Sequence, residues 1–226
     1  MIDLHSHILP GIDDGSRSPE MTRQMLAIME RQGVEKVVAT PHFLADYLSP
    51  KKFLQLRQEA YDRLDCPENI ILGAEVAYMD GMSHWEELPR LQLGESGLLL
   101  IEMPFNAWTH RAVEEVCSLR TQTGLTPVLA HVERYRRKDQ LPAYMDELLA
   151  QGVLFQSNAE AFLRLTQRRW VLEQVKRKNI RFLGSDAHNT TARAPRLAEA
   201  AAVIDSKLGK GVVDAITNYT KKKLKI

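Results

Sequence analysis

A chain of 226 residues is long enough to bury one substantial core, and one-domain barrels reach this length, so the sequence predicts a single domain over residues 1–226. Charged residues make up 26% of the chain and hydrophobic residues 44%, which argues against disordered and fibrous classes. The formal net charge of +1 gives no indication of a nucleic-acid partner.

Seven short apolar or β-branched runs alternate with amphipathic segments, a pattern typical of parallel strands joined by crossover helices. The predicted strands span residues 2–5, 36–40, 70–73, 97–101, 127–130, 153–156 and 180–184. Because neither an internal repeat nor a low-complexity linker interrupts them, these strand–helix units predict one closed or nearly closed α/β barrel.

Helix boundaries are indicated by capping residues. Ser18 is predicted to cap the first helix, Pro19 to begin it and Gly33 to end it. A second helix is predicted after Ser49 and Pro50. The basic run at the C-terminus is predicted to be a solvated, frayed end rather than a site for an anionic partner. The other predicted helices span residues 111–123, 141–151, 164–178 and 194–208, and the basic run is 221–225.

Membrane insertion is not expected, because no apolar run approaches the roughly 18 residues needed to cross a bilayer. The first residues also lack the cationic and apolar regions of a signal peptide, so the sequence predicts a cytoplasmic protein. Two cysteines, Cys66 and Cys117, cannot build a disulfide framework and fit a reducing compartment.

A metal-capable side chain follows nearly every predicted strand. In a parallel barrel the C-terminal ends of all strands open on one face, so residues distant in sequence are predicted to form one cluster there. A single histidine after a strand is more often a hydrogen-bonded core residue than a ligand, but nine such residues together favour a metal site. The set is His5, His7, Asp14, His42, Glu75, Glu102, His131, Asp186 and His188.

The chemistry of this set points to divalent cations. Four clustered carboxylates would leave uncompensated negative charge in a low-dielectric site, which cations neutralise. Nitrogen and oxygen ligands without thiolate favour Mn²⁺, Fe²⁺ or Zn²⁺, and nine ligands exceed what one ion takes, so two or three ions are expected. Such a cluster at a barrel mouth indicates hydrolysis, and a phosphate ester is the substrate class that suits it best.

Several motifs of the chain resemble the PHP superfamily of metal-dependent phosphoesterases, and within it the capsule-type tyrosine phosphatases of bacteria. The resemblance extends along nearly the whole chain. The motifs are His5-Ser6-His7, Asp13-Asp14-Gly15, Thr40-Pro41-His42, Gly73-Ala74-Glu75, the stretch from Ala130 to Tyr135, and Ser185-Asp186-Ala187-His188-Asn189.

This resemblance implies a distorted, TIM-like (β/α)7 barrel with the PHP fold and a three-ion site, commonly supplied with Mn²⁺. It implies ligand roles for all nine residues and phosphate-binding roles for Arg134 and Arg193. It also implies a partner, a tyrosine-phosphorylated protein of the bacterial tyrosine autokinase class, whose dephosphorylation regulates capsule or exopolysaccharide synthesis.

Some residues have two readings on the sequence alone. Arg134 lies in a basic run and could belong to a solvated face, although both arginines follow a strand-end ligand closely enough to reach a phosphoryl oxygen. Five aromatic residues could wall a phosphotyrosine pocket or pack on the barrel. His84 and His110 lie outside the strand-end pattern and are predicted to be surface or packing residues. The five aromatics are Phe43, Tyr47, Phe105, Trp108 and Tyr135.

The predicted reaction is hydrolysis of phosphotyrosine by a metal-activated hydroxide. Cysteine-based tyrosine phosphatases carry an arginine after five intervening residues, but Leu72 and Thr123 occupy those positions after Cys66 and Cys117. One alternative is a small-molecule phosphatase such as a histidinol phosphatase. A second, non-enzymatic alternative is a metal-stabilised protein-binding module.

Overall fold

The computed structural model describes residues 1–65 and 67–226. Its strands are β1 (Ile2–Ser6), β2 (Lys36–Ala39), β3 (His42–Phe43), β4 (Ile70–Leu72), β5 (Glu75–Ala77), β6 (Leu98–Glu102), β7 (Thr126–Leu129), β8 (Leu154–Asn158) and β9 (Ile180–Gly184). Its α-helices are α1 (Pro19–Arg31), α2 (Pro50–Asp62), α3 (His110–Thr123), α4 (Leu141–Ala150), α5 (Ala159–Leu163), α6 (Leu165–Lys176), α7 (Leu197–Leu208) and α8 (Val212–Leu224).

The strands form two parallel sheets, of order β1-β2-β4 and β3-β5-β6-β7-β8-β9. At two of the seven predicted strands the chain continues beyond the predicted end into the other sheet: β2 is followed by β3 after Pro41, and β4 is followed by β5 after Gly73. Proline has no N–H to donate to a strand ladder, so the second strand breaks there. This division accounts for the distortion of the barrel.

Hydrogen bonds between β1 and the segment after β9 join the two sheets into one ring. The Asp186 N–H donates to the carbonyl of His5 at 2.8 Å, and the His7 N–H donates to the carbonyl of Ala187 at 2.9 Å. The strands approach so closely that a Cβ placed on Gly184 would lie 2.6 Å from the Cβ of His5. The predicted α/β barrel with seven strand positions is thus confirmed.

Buried side chains at alternate positions of the strands fill the barrel interior, while the intervening positions pack against the helices. Leu4 of β1, Leu100 of β6 and Phe182 of β9 belong to the interior cluster. Leu224, from the last turn of α8, packs into the same cluster. The C-terminal helix therefore closes the end of the barrel opposite the strand C-termini.

The prediction of a frayed C-terminus is wrong. Residues 221–224 continue α8, whose Val213, Thr220 and Leu224 are buried on one face. The Lys221 ammonium lies 2.6 Å from a carboxylate oxygen of Glu35. The apolar spacing of three and four residues across this segment is helical, and it outweighs the solvation of the lysines.

The predicted helices agree with the structure to within a few residues at each end, but the sequence patterns indicated neither α5 nor α8. Ser18 accepts a hydrogen bond from the Met21 N–H, and Pro19 begins α1 as expected. Ser49 caps α2 in the same way through Lys52. No helix within the described ranges combines the length and apolar character of a membrane span.

Candidate metal centre

The nine predicted ligands lie together at the C-terminal ends of the strands. The Nε2 atoms of His5 and His7 are 3.1 Å apart, and both point at one oxygen of Glu75, at 3.2 and 3.3 Å. Both imidazoles are fully buried. Three ligand atoms so close to each other match the spacing of neighbouring ligands around one cation with metal–ligand distances of about 2.0–2.2 Å.

Glu75 is the centre of the cluster. The Nδ1 atom of His42 lies 3.0 Å from its Oε2 atom. His131 approaches the other oxygen, with Nε2 at 2.9 Å from Oε1 of Glu75 and 3.2 Å from Oε1 of Glu102. A carboxylate that faces four imidazoles from three strand ends could help to hold more than one cation.

The far side of the cluster contains His188, Asp14 and Asp186. The Nε2 atom of His188 lies 3.2 Å from Oδ1 of Asp14, and Oδ1 of Asp186 lies 3.4 Å from Nε2 of His7. Three overlapping groups have ligand atoms within 4.8 Å of each other, and His131 and Asp186 contact these groups without belonging to them. The groups are His7/Asp14/His42/His188, His5/His7/Glu75 and His42/Glu75/Glu102.

The donor set fits divalent cations. Within the described part of the chain, the buried Oε2 atom of Glu75 and the buried Nε2 atom of His188 receive no hydrogen bond. Buried polar atoms are rarely left without a partner, because the loss of solvation is costly. A cation would satisfy both atoms, whose neighbours lie at ion-pair distance without forming a hydrogen bond.

The electrostatics of the cluster also favour cations. Burial opposes charge on His5 and His42, yet the adjacent Glu75 carboxylate raises the pKa of each to about 9. Burial likewise opposes charge on Glu75, but His5 and the neighbouring imidazoles hold the pKa of Glu75 well below its usual range. Burial and the nearby His7 lower the pKa of His188 to about 4, so that imidazole is neutral and able to bind metal. Cations binding here would displace protons from His5 and His42.

Both predicted arginines reach the cluster through Asp186. The Nη2 atom of Arg134 lies 2.5 Å from Oδ2 of Asp186, and the Nη2 atom of Arg193 lies 2.9 Å from Oδ1. Nη1 of Arg193 also lies 3.5 Å from Oδ2 of Asp14. Both guanidinium groups border a cavity of about 420 Å³ and are partly exposed. The reading of Arg134 as only a solvated surface residue does not fit this position.

Sequence reasoning missed a carboxylate that orients two ligands. Oδ2 of Asp13 lies 2.7 Å from Nδ1 of His7 and accepts a hydrogen bond from the His42 N–H at 3.1 Å. Such a partner fixes which imidazole nitrogen faces the metal. The Asp13-Asp14-Gly15 motif was the available signal. Its glycine allows this turn to pack closely against His7, because a Cβ on Gly15 would lie 2.2 Å from the carbonyl oxygen of His7.

Strand β8 supplies two further orienting residues that were not predicted. Oε1 of Gln156 lies 3.3 Å from Nδ1 of His5 and accepts a hydrogen bond from the His131 N–H at 2.7 Å. The Asn158 side chain donates to Oδ2 of Asp186 at 2.8 Å. The available signal was the polar character of these side chains within a buried strand. They were missed because no predicted ligand follows this strand.

Two candidate ligands have strained backbones. His131 has φ 32° and Asp186 has φ 52°, in the left-handed region that non-glycine residues rarely adopt. Each such residue costs on the order of 1–3 kcal/mol, and strain of this kind concentrates at functional sites.

The five aromatic residues separate into core and surface. Phe43, Trp108 and Tyr135 are buried and pack on the barrel, whereas Tyr47 is 84% exposed and Phe105 is 52% exposed. The Phe105 ring lies nearly parallel to that of His131, at 15° and with centroids 6.1 Å apart. Of the two exposed aromatics, Phe105 is thus the one whose ring lies beside a candidate ligand.

Residues predicted to lie outside the site do so. His84 is exposed, and His110 is exposed and paired with Glu114. Burial and nearby glutamates raise the pKa of the Cys117 thiol to about 11, which leaves little thiolate at neutral pH. Cys66 lies outside the described residues.

Sequence comparison relates the chain to proteins of capsule synthesis. The family model described as "Capsular polysaccharide synthesis, CpsB/CapC" matches residues 1–224. The tyrosine-protein phosphatase CpsB of Streptococcus pneumoniae is 32% identical over 227 residues, which cover 92% of this chain and 91% of that protein. The tyrosine-protein phosphatase YwqE of Bacillus subtilis is 28% identical, with coverage of 92% and 85%.

Structural comparison gives the same relatives. A chain from the crystal structures of YwqE from Bacillus subtilis and CpsB from Streptococcus pneumoniae, described as unique metal-dependent tyrosine phosphatases, matches with a TM-score of 0.86. That match has 27% identity and covers 100% of this chain and 94% of the other. The inactive dihydroorotase-like domain of Chaetomium thermophilum, at 12% identity and a TM-score of 0.56, shares the fold alone.

Proposed function

Because this chain belongs to the CpsB/CapC family of capsular polysaccharide synthesis proteins, we propose that it is a metal-dependent protein-tyrosine phosphatase. The family relatives named tyrosine-protein phosphatase match nearly its whole length. The observation that carries the proposal is the convergence of nine imidazoles and carboxylates, with Glu75 at the centre and two arginines at the edge of the cluster. Cations and guanidinium groups side by side suit a phosphate ester.

The candidate ligands would hold two or three divalent cations, with Mn²⁺ as the proposed metal and Fe²⁺ or Zn²⁺ as alternatives. When bound, such cations supply Lewis-acid stabilisation and make water nucleophilic at neutral pH. Asp13 and Gln156 keep the ring nitrogens of His7 and His5 directed into the cluster. The metal-binding geometry is therefore prepared by hydrogen bonds from neighbouring strands.

Arg134 and Arg193 are proposed to bind the phosphoryl oxygens. Both guanidinium groups are held by the two oxygens of Asp186, so their remaining N–H groups can face the partly open mouth. A guanidinium donates to a phosphate with bidentate geometry and stays charged at any physiological pH. Their charge would stabilise the negative charge that the transition state gathers on the phosphoryl oxygens.

Phe105 is proposed to contact the aromatic ring of phosphotyrosine. Its loop is held firmly: the Gln140 side chain donates to the carbonyls of Phe105 and Asn106 at 2.8 and 3.0 Å, and the Trp108 indole donates to Pro104 at 2.9 Å. An exposed aromatic side chain on a hydrogen-bonded loop next to a ligand is prepared for stacking. This geometry would favour an aryl phosphate over an alkyl phosphate.

The proposed substrate is a tyrosine-phosphorylated protein, of the bacterial tyrosine autokinase class, in a pathway of capsule or exopolysaccharide synthesis. Family membership supports the pathway, and the names of the relatives support the phosphotyrosine. Three statements stay predictions: that the partner is an autokinase, that the whole chain is one domain, and that the protein is cytoplasmic.

The decisive experiment combines metal analysis of the purified protein with turnover of a phosphotyrosyl peptide in the presence of Mn²⁺. We expect bound metal and turnover in the native chain and in a Cys66→Ala/Cys117→Ala variant. His42→Ala and Asp186→Ala should abolish turnover, with the fold checked by circular dichroism. Loss of activity in the cysteine variant and its retention in the other two would refute the metal-dependent mechanism.

The same assay separates the alternatives. A histidinol phosphatase would hydrolyse histidinol phosphate with a higher kcat/KM than a phosphotyrosyl peptide, and the reverse order is expected here. A metal-stabilised binding module would bind metal and hydrolyse neither compound. Nine candidate ligands beside two arginines at a solvent-accessible mouth argue for an enzyme over such a module.

A further inference from the structure

A second cavity, of about 850 Å³, lies away from the candidate metal centre. Its lining comes from the C-terminal ends of α6 and α7, the first residues of β9 and the first turns of α8. The metal-centre residues Asp186 and His188 follow the opposite end of β9. The two sites are therefore at opposite ends of the barrel.

The rim of this cavity carries positive charge only. Five of the lining residues are cationic, and among the described residues that line the cavity none is acidic. The four lysines form no ion pair within the described chain, and the Arg181 guanidinium packs 3.8 Å from the centre of the Tyr219 ring. A concave surface lined by one sign of charge concentrates ligands of the opposite sign. The cations are Lys176, Lys178, Arg181, Lys207 and Lys210.

The floor of the cavity is apolar and aliphatic. Val175 and Ile180 are buried, and Leu208, Val212 and Ile216 complete the surface between the lysines. A ligand that fits both parts must carry separated negative charges and an aliphatic group. Acidic peptides with aliphatic side chains have this composition.

A compact phosphate ligand or a nucleotide fits less well. The N-terminus of α8 would be the natural phosphate site, but Oδ1 of Asp205 already accepts from the Val213 N–H at 3.4 Å. A phosphate at this helix end would therefore have to displace that contact. No aromatic ring is among the described lining residues, so a nucleobase would have no stacking partner.

A bilayer surface fits less well too, because the site is concave. The large apolar side chains that project from the described surface lie elsewhere, so none at this cavity could insert into lipid. These projecting residues are Leu44, Tyr47, Phe105, Leu165 and Ile226.

We propose that this cavity binds an acidic peptide segment of a partner protein. The segment would place an aliphatic side chain on the floor and its carboxylates beside the lysines of the rim. Docking at the end of the barrel opposite the metal centre would leave the mouth free, so one protein could be bound at both sites. The proposal does not depend on the phosphatase function, because the segment needs no phosphate.

The test is fluorescence anisotropy with a fluorescein-labelled peptide of alternating glutamate and leucine. We expect the Lys207→Glu/Lys210→Glu variant to raise the Kd by about tenfold or more, since charge pairs across an interface are lost and replaced by repulsion. Ala215→Glu, which adds a carboxylate to the exposed lining, should also weaken binding. The matched control is Lys51→Glu/Lys52→Glu, which changes the net charge equally on α2 and should bind like the native chain.

Equal weakening in the control variant would show non-specific attraction and overturn the proposal. Equal affinity for a peptide of alternating glutamate and glycine would also overturn the proposal, because the apolar floor would then contribute nothing to binding. Binding of pyrophosphate, or of phosphatidylglycerol vesicles, through Lys207 and Lys210 without peptide binding would assign the site to another ligand. Turnover of a short phosphotyrosyl peptide by the Lys207→Glu/Lys210→Glu variant tests the proposed phosphatase activity independently of binding at this cavity.

Discussion

Glu75 illustrates how one residue can organise a site. Its two oxygens face four imidazoles from three strand ends, and its side chain is buried. A buried carboxylate is costly unless a cation, or a proton on a neighbouring group, neutralises its charge. The raised pKa values of His5 and His42 show that protons can fill this role in competition with metal.

Asp13 has a testable effect at the residue scale. Asp13→Asn keeps the shape of the side chain but removes the charge that orients His7. We expect the affinity for Mn²⁺ to fall by about 10–100-fold, the usual cost of losing a carboxylate behind a ligating histidine. Isothermal titration calorimetry measures it, with Asp146→Asn on the exposed surface of α4 as the control. An unchanged affinity would rule out the orienting role.

Phe105 provides a second residue-scale prediction. Phe105→Ala should lower kcat/KM for a phosphotyrosyl peptide by about tenfold, equivalent to roughly 1.4 kcal/mol and within the range of an aromatic contact. Turnover of a phosphoseryl peptide should be unaffected, and metal content should stay at the native level. Tyr47→Ala is the control, since Tyr47 is also exposed but its ring contacts no described ring of the cluster. An equal loss on both peptides would refute ring recognition.

At the scale of elements, α8 closes the barrel base. Its lysines face outwards while Leu224 packs into the interior cluster with Leu4 and Phe182. The helix therefore contributes to stability mainly through its apolar face, while Lys221 on the charged face pairs with Glu35.

Leu224→Ala tests this role of α8. Removing a buried leucine side chain is expected to lower the free energy of unfolding by about 2–5 kcal/mol, from lost burial and the cavity left behind. Urea denaturation measures it. Ile226→Ala, two residues further and 52% exposed, should change the stability by less than about 0.5 kcal/mol. Similar values for the two variants would contradict the packing.

At the scale of the whole molecule, the candidate ligands come from both sheets and from both sides of the β1–β9 junction. Cations bound there would tie the ends of the chain to its middle. Removal of metal should therefore affect the stability of the entire fold.

We expect a chelator to lower the melting temperature and added Mn²⁺ to restore it. A ligand at a hundredfold excess over its Kd adds about 2.7 kcal/mol of stability to the state that binds it. Differential scanning fluorimetry measures the shift, and a His188→Ala variant should respond less to Mn²⁺. A melting temperature unaffected by chelation of metal-loaded protein would contradict the structural role of the metal.

The dependence of stability on pH follows from His5 and His42. Their pKa values rise from the ordinary 6.5 to about 9 in the folded, metal-free protein. Protonation thus stabilises the fold fully below pH 6.5, and that contribution is lost as pH rises to about 9. Urea titrations of chelated protein should show falling stability across this window, whereas Mn²⁺ affinity should rise as protons leave. Stability that rises over the same window in chelated protein would refute the assignment.

The sequence by itself determined the chemistry and the general architecture. Short apolar or β-branched runs and helical spacing identified seven strand positions and most helices, and the rule that parallel strands end on one face predicted the cluster. These inferences succeeded because they depend on local pattern. The roles of the nine residues as ligands, and of the two arginines, stay predictions that the geometry supports.

Only the tertiary structure decided which residues support the site. Asp13, Gln156 and Asn158 orient ligands through hydrogen bonds between strands or loops, and no local pattern encodes such pairings. The same holds for the aromatics, because only the structure shows that Phe105 is exposed and Tyr135 is buried. It also holds for α8, whose basic sequence did not indicate that one face of the helix is buried. Burial and cross-strand contact arise from the closure of the whole ring, so they appear only when the chain is folded.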